Sequence, residues 1–257
     1  MTDRAVSDAI GFVLVFSLII ASVGVVYTAG FSALADSRDE ERVTNAVRAF
    51  DVLADNFEDI YRTDAPSRAT EIKLSDASLA FGEEAELTVN VTNVPGESYS
   101  VDVEPIVYRA SNTDTTVVYE NGATFRTDRG AGVMKRSPHL LVRDAGGSRV
   151  VIVPVVQTRS KSTTGVGGSS TVLVRSERIE SEMLSSVPAD ADDNANVSQY
   201  DVTITLETDP ARAEAWMRYL DDQDGTTCSM PASDTVECTV VADELYVSVT
   251  RIDVSFA

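Results

Sequence analysis

From Ala9 to Ala35 the chain carries no charged side chain. As a helix these ~27 residues would reach roughly 40 Å, against about 30 Å of hydrocarbon in a bilayer. A run of this length has to be covered by lipid or by other helices. The helical pattern does not stop there, since no glycine or proline occurs between Gly30 and Pro66. Val43, Val47, Phe50, Ala54, Phe57 and Tyr61 recur three and four residues apart, with Ala46, Leu53 and Ile60 beside them. That is the spacing of one apolar helix face. The pattern predicts a single helix from about Ala9 to about Tyr61. Its residues 9–35 suit a membrane or a helix bundle. Residues 36–62 form an amphipathic part whose stripe packs on a soluble domain, with Phe50 and Phe57 as anchors, each burial contributing roughly 1.5–3 kcal/mol. Between the two parts, Arg38/Glu41 and Asp39/Arg42 sit three residues apart and read as a solvated face.

Ahead of the run stands a leader of residues 1–5 that ends in Arg4-Ala5, followed by Val6-Ser7-Asp8-Ala9-Ile10-Gly11. A very short polar leader ending in Arg-Ala, then Val-Ser-x-x-Ile-Gly and an aliphatic run, resembles the N-terminus of archaeal type IV pilins. These are class III signal proteins, which also include the archaellins. The resemblance implies that a membrane-bound prepilin peptidase cuts between Ala5 and Val6, with Arg4 as the preceding cation. It also implies that the freed apolar helix packs with those of other pilin-like subunits. Two positions depart from the pattern. Asp8 stands where the archaeal motif usually has proline, and Ile10 stands where bacterial pilins carry an acidic residue. Cleavage would leave a positive α-amine on Val6, which needs an anionic partner in a low-dielectric bundle. Asp8 is the candidate partner; the alternative is a headgroup-level residue favoured by the helix dipole. More loosely, the whole chain resembles a haloarchaeal family of pilin-like, membrane-anchored proteins that brings no activity with it.

A secretory signal has a shorter apolar core than this run, although Ala33-Leu34-Ala35 imitates a cleavage site. The flanking charges place the N-terminus in the cytoplasm and the large domain outside, a weakly specified orientation because acidic residues count for little. Within the run, Ser17/Ala21, Gly24/Thr28 and Ala29/Ala33 permit close helix approach and are equally the small residues of any membrane helix. Forty-one acidic against 21 basic residues give a net charge of −20, and Lys73, Lys135 and Lys161 are the only lysines. A single-signed field of this size excludes nucleic acid and anionic surfaces as partners. It also suits a halophile, where salt screens the self-repulsion.

After Pro66 the period changes to two. Ile72/Leu74, Leu79/Phe81, Leu87/Val89/Val91 and Tyr99/Val101/Val103 alternate with polar residues, and Ile106–Tyr108 and Val117–Tyr119 follow. Asn121-Gly122 signals a type I′ hairpin joining Val117–Glu120 to Ala123–Arg126. Val150–Gln157 is an apolar strand in which Pro154 predicts an edge or a bulge. Gly165–Gly168 reads as a hairpin loop leading into Thr171–Arg175, and Ser176–Leu184 fits strand or helix. Tyr200–Leu206, Val236–Val241, Tyr246–Thr250 and Ile252–Phe256 complete the strands. Asp209-Pro210 caps a short helix with Ala213, Trp216, Met217 and Leu220 on one face. Trp216 is expected as a core plug. The fold class is α+β: a long transmembrane and stalk helix, then a mainly antiparallel, β-sandwich-like domain over 68–257 with one packed helix.

Chemistry is sparse. His139, beside Pro138, is the single histidine, and no HExxH, GxSxG or Walker pattern occurs. The glycines at 165–168 lack the strand-then-helix context of a phosphate loop. Asp190, Asp192, Asn194, Asn196 and Asp201 are spaced like an EF-hand loop, but Ala195 replaces the required glycine, so a solvated acidic loop is the reading. Neither a metal nor a cofactor is expected. Cys228 and Cys238 close a ten-residue loop and, in an oxidising exterior, are expected to bridge, a link of roughly 2–4 kcal/mol; the alternative is two small apolar side chains. Asn90-Val91-Thr92 and Asn196-Val197-Ser198 are glycosylation sequons. The expected function is structural, a pilin-like surface subunit or minor pilin, with an unidentified surface ligand. The alternative is an uncleaved, membrane-anchored extracellular binding domain, and an enzyme is not expected.

Overall fold

A computed structural model describes residues 3–111, 113–161, 164–187 and 199–257. The chain divides into two compact units, Met1–Arg42 and Val43–Ala257. Helix α1 (Asp3–Arg62) accounts for the described part of the first unit, and its residues from Val43 onward belong to the second. In the first unit consecutive apolar side chains are exposed around the whole helix. Phe12 is 71% accessible, Leu18 70% and Val26 71%. The few hydroxyls there are satisfied within the helix: Ser22 donates to the Ile19 carbonyl, Thr28 to that of Gly24 and Ser32 to that of Thr28. Such back-bonding keeps polar hydrogens off an apolar surface.

The second unit adds strands and one helix. They begin with β1 (Ser67–Lys73), β2 (Ala77–Phe81), β3 (Ala85–Val91) and β4 (Ser98–Val103). Next come β5 (Ile106–Ala110), β6 (Thr115–Glu120), β7 (Ala123–Asp128) and β8 (Ala131–Arg136). Then follow β9 (Leu141–Ala145), β10 (Ser148–Ser160), β11 (Gly165–Gly168), β12 (Thr171–Val187) and β13 (Tyr200–Glu207). The chain ends with α2 (Pro210–Asp221), β14 (Thr227–Ala232), β15 (Thr235–Ala242) and β16 (Glu244–Phe256). Three sheets result. The first runs β1-β12-β16-β10-β9, the second β11-β2-β5-β6-β7-β8 and the third β14-β15-β13-β3-β4.

Two apolar cores lie among them. Core 1 joins the third sheet, helix α2, and the first halves of β10 and β16. Core 2 joins Val43–Ile60 of α1 to the second sheet, β1, β12, and the second halves of β10 and β16. The long strands serve both cores through a change of parity. Val151, Val153 and Val155 face core 1, whereas Val156 lines core 2. On β16, Leu245, Val247 and Val249 face core 1, and Ile252, Val254 and Phe256 face core 2. The switch falls at one level, because Val155 pairs with Val249 and Val156 with Thr250 in an unbroken register. Since neighbouring residues point to opposite faces, the two cores lie on opposite faces of the first sheet.

The second sheet is buried on both sides over β5 and β6. Ile106 and Tyr108 enter core 2 while Val107 enters core 1, and Val118 does the same between Val117 and Tyr119. A strand covered on both faces needs a continuous apolar run, which explains these two triplets.

The compact second unit takes in α1 from Val43 onward, and its strands begin at Ser67. The pairing is mainly antiparallel, as expected, with β10 and β16 in parallel; the chain between Ser160 and Glu244 supplies the long crossover a parallel pair requires. Several expectations are corrected. Gly165–Gly168 is an edge strand on β2 rather than a loop. A Cβ on Gly165 would stand 2.8 Å from Ala80 Cβ, so the close pairing needs glycine there. Ser176–Leu184 is strand, within β12. Tyr246–Thr250 and Ile252–Phe256 are one strand whose alternation breaks where the cores change face.

Pro154 sits at a local edge, since β9 pairs only with Ser148–Ile152 of β10. Two residues on, the Val156 N–H donates to Asn121 Oδ1 at 2.8 Å, which satisfies the edge that β9 leaves. Glu120 pairs with Ala123 around Asn121 and Gly122, whose φ values of 45° and 82° are those of the type I′ turn. The stripe on α1 is core: Phe50, Leu53, Phe57 and Ile60 are all fully buried, and Phe57 meets the Tyr119 ring at 4.6 Å.

Truncating Phe50 to alanine is expected to lower stability by about 3–5 kcal/mol. Val52→Ala, at a position 52% accessible, should change it by less than about 0.5 kcal/mol. Urea unfolding of the full chain in detergent, followed by Trp216 fluorescence, measures both; equal effects would show that the stripe is not a core element.

Candidate functional site

Three places carry chemistry. The first is α1 itself, whose stretch from Ile10 is long and apolar enough to cross a membrane. Ala5, Val6 and Asp8 lie in its opening turns.

The second is a buried carboxylate that sequence reading did not single out. Glu120, the last residue of β6, is wholly inaccessible. Its oxygens accept from Trp216 Nε1 at 2.6 Å, Arg212 Nε at 2.9 Å and the Thr208 hydroxyl at 2.9 Å. Arg212 Nη2 adds a contact of 2.9 Å. Helix α2 is positioned to supply these groups by its own cap, in which Asp209 Oδ1 accepts from the Ala211 N–H at 2.8 Å. Arg212 and Trp216 are four apart and therefore share a face. Trp216 is buried as expected, but it also has a polar task. The hairpin cue at Asn121-Gly122 marked the turn, yet nothing in the local pattern distinguished Glu120 from the other carboxylates.

The third is a charged cluster where the end of α1 meets the loop after β8. Arg136 reaches Asp55 at 2.5 Å and Glu58 at 2.6 Å, and His139 Nε2 lies 2.8 Å from Glu58 Oε1 and 2.9 Å from Arg62 Nη1. Arg62 also pairs with Glu58 one turn earlier. Burial pushes the Glu58 carboxyl up, but hydrogen bonds from Arg62 and Arg136 outweigh it and hold it below its usual range. Burial pushes the His139 imidazole below its ordinary 6.5; Glu58 opposes this, and Arg62 and Arg136 reinforce it. Beside the cluster opens a groove of about 530 Å³ lined by Tyr61, His139, Leu141, Ile152, Pro154 and Tyr219 among others. Tyr219 donates to the Leu140 carbonyl at 2.6 Å, and burial raises both tyrosines to about 12. His139 thus stands within a cluster of charged side chains, against Glu58 and Arg62.

The remaining candidates are scattered. Cys228 and Cys238 face each other across β14 and β15 and are joined as a disulfide. Asn90 lies on β3 between Ser98 and Thr203, half-buried and on the face away from core 1. Asn196 and the acidic stretch 190–196 lie outside the described residues. Asp201 is in β13, where its N–H donates to Asn93 Oδ1. Among the described residues no three His, Cys, Asp or Glu side chains assemble for a metal.

Together these features define an α+β protein with one membrane-length apolar helix near its N-terminus and a β-rich unit of three sheets. The chain belongs to the family of unknown function DUF7289, whose model it matches over residues 4–255. No curated protein and no solved structure matches it.

Removing the buried carboxylate is expected to be severe. Glu120→Ala leaves Arg212, Trp216 and Thr208 without their acceptor and should cost about 3–5 kcal/mol. Chemical denaturation of the full chain in detergent measures this, and a loss under about 1 kcal/mol would show that water reaches the site.

The cluster also predicts a sign for the pH dependence. The folded values of His139 and Glu58 are both depressed, so their contributions are present above the unfolded values and lost on acidification. Stability should fall as pH drops below 6.5 and again below 4.5. Thermal melts of His139→Asn against the unmodified chain isolate the first step, which the variant should lack.

Proposed function

We propose that this protein is a pilin-like surface subunit or minor pilin, held at the membrane by α1 and displaying its β-rich unit outside the cell. The observation that carries this reading is the division of α1 between two environments. Its residues 43–60 include a core stripe, whereas Ile10–Leu34 presents apolar side chains on every side. A helix apolar all round is at home in lipid or among other helices, not in water. The Arg4-Ala5/Val6-Ser7 motif adds a processing site between Ala5 and Val6, and with it a prepilin peptidase and sister subunits as partners.

The reading also gives Asp8 a role. The new α-amine of Val6 would lie in an apolar bundle, where an unpaired charge is costly and a carboxylate two residues away offsets it. The outward orientation accords with the Cys228–Cys238 bridge, which belongs to oxidising compartments. It would expose Asn90 and Asn196 to glycosylation. The net charge of −20 suits a high-salt exterior.

Intact-mass analysis and N-terminal sequencing of the native protein test the proposal. A chain beginning at Val6 is expected, and one beginning at Met1 or Thr2 ends the pilin reading in favour of an uncleaved anchor. Recovery in sheared surface filaments is expected for the parent chain. Asp8→Asn should reduce that recovery several-fold; normal assembly would leave Asp8 with only a headgroup role.

A further inference from the structure

A second cavity, of about 600 Å³, opens on the side of the second sheet away from core 2, beside the first turn of α2. Its size is that of a pocket for a small organic ligand. Two guanidinium groups line it. Arg212 is only 7% accessible in its side chain, and Glu120 holds its Nε and Nη2 in place. Among the described residues its Nη1 makes no hydrogen bond; it stands 3.9 Å from Asp209 Oδ2, beyond hydrogen-bond reach. A donor on a nearly buried, fixed arginine that still has a free N–H is preorganised for an acceptor from outside. Arg109, on β5, is exposed in the same cavity, and its guanidinium has no hydrogen-bond partner among the described residues.

The rest of the lining is rich in acceptors. Glu83 and Asp209 stand on the wall, and Asp209 spends one oxygen on the Ala211 N–H. Thr116 and Thr127 Oγ1 are 2.5 Å apart, so one hydroxyl proton joins them and the other remains to be donated. A plain anion would meet two carboxylates here, and a neutral sugar would leave the two guanidinium groups unanswered. We propose that this cavity binds a hydroxylated carboxylate, the chemistry of a uronic acid. Its carboxylate lies between Arg109 and Arg212 Nη1, and its hydroxyls donate to Glu83 and Asp209 and accept from the threonine pair. The inference rests on the cavity alone and is independent of whether α1 is processed or assembles.

Calorimetric titration of the full chain in detergent with glucuronate, glucose and acetate tests it. Glucuronate is expected to bind, with glucose and acetate each weaker by roughly tenfold or more, because each lacks one half of the recognised chemistry. Arg109→Gln should weaken glucuronate by roughly tenfold at an unchanged melting temperature, since the residue is exposed. Thr127→Val should weaken it too. Arg62→Gln, in the other groove, should leave binding as it is. Absence of glucuronate binding, acetate binding as tight as glucuronate, or equal affinity in Arg109→Gln would each overturn the assignment.

Discussion

The second unit depends most on the short turn Glu120-Asn121-Gly122. Taking a carboxylate fully out of water costs several kcal/mol unless its lone pairs are all used, and Glu120 uses them on an arginine, an indole and a hydroxyl. Those three groups come from α2 and the residue before its cap, so the carboxylate fixes where that helix lies. The next residue, Asn121, turns the other way and accepts the Val156 N–H on the free edge of β10. Gly122 completes the turn against Pro138: a Cβ there would stand 3.5 Å from the proline Cβ. Three consecutive residues thus tie the second sheet to α2, to the first sheet and to the loop carrying His139. The first two links are polar and directional, which supplies a register that apolar packing alone leaves loose.

The parity switch in β10 and β16 is the second constraint. A strand with one buried face serves one core, but each of these carries two inward residues in succession, Val155-Val156 and Val249-Thr250. The unit can therefore stack a core on each face of a single sheet without a bulge in the β10–β16 ladder. It also explains why the amphipathic half of α1 is needed. Where core 2 covers the first sheet, Phe50, Leu53, Phe57 and Ile60 supply the opposing layer. Where the helix ends, at Tyr61 and Arg62, the same face continues as the groove lined by Ile152, Pro154 and Thr250.

Much of this was legible residue by residue. The spacing of Val43 to Tyr61 marked the buried stripe, Asn121-Gly122 the hairpin, Asp209-Pro210 the start of α2, and Pro154 a strand with a free edge. These cues are local, and local geometry is what a sequence pattern encodes. The parallel pairing of β10 with β16 is not local, and neither is the choice of Glu120 from among 41 acidic residues. His139 looked like a lone loop histidine because its partners, Glu58 and Arg62, are some eighty residues earlier on a helix. The cavity of Arg109 and Arg212 was hidden for the same reason, since no motif links a strand arginine to a helix arginine a hundred residues on. The alternation in β16 reads as two strands because a break in period usually means a turn, and here it means a change of face.

The constraint on α1 extends beyond the second unit. A stripe of fully buried side chains fixes the helix from Val43 onward, so that part cannot rotate to answer demands made on the rest without disturbing core 2. Upstream, the apolar surface of Ile10–Leu34 has no polar face to turn towards water. Its cover must then be symmetric about the helix axis, which lipid provides and a ring of like helices also provides. The two differ in what they ask of the helix start. Lipid places the first turn among headgroups, where an acidic residue is solvated; a bundle removes it from water and demands a counter-charge. Asp8 two residues beyond Val6 answers the second demand only if a new amine is created there. On the proposed reading, the identity of residue 8 and cleavage of the bond after Ala5 are linked physically, and each is the reason for the other.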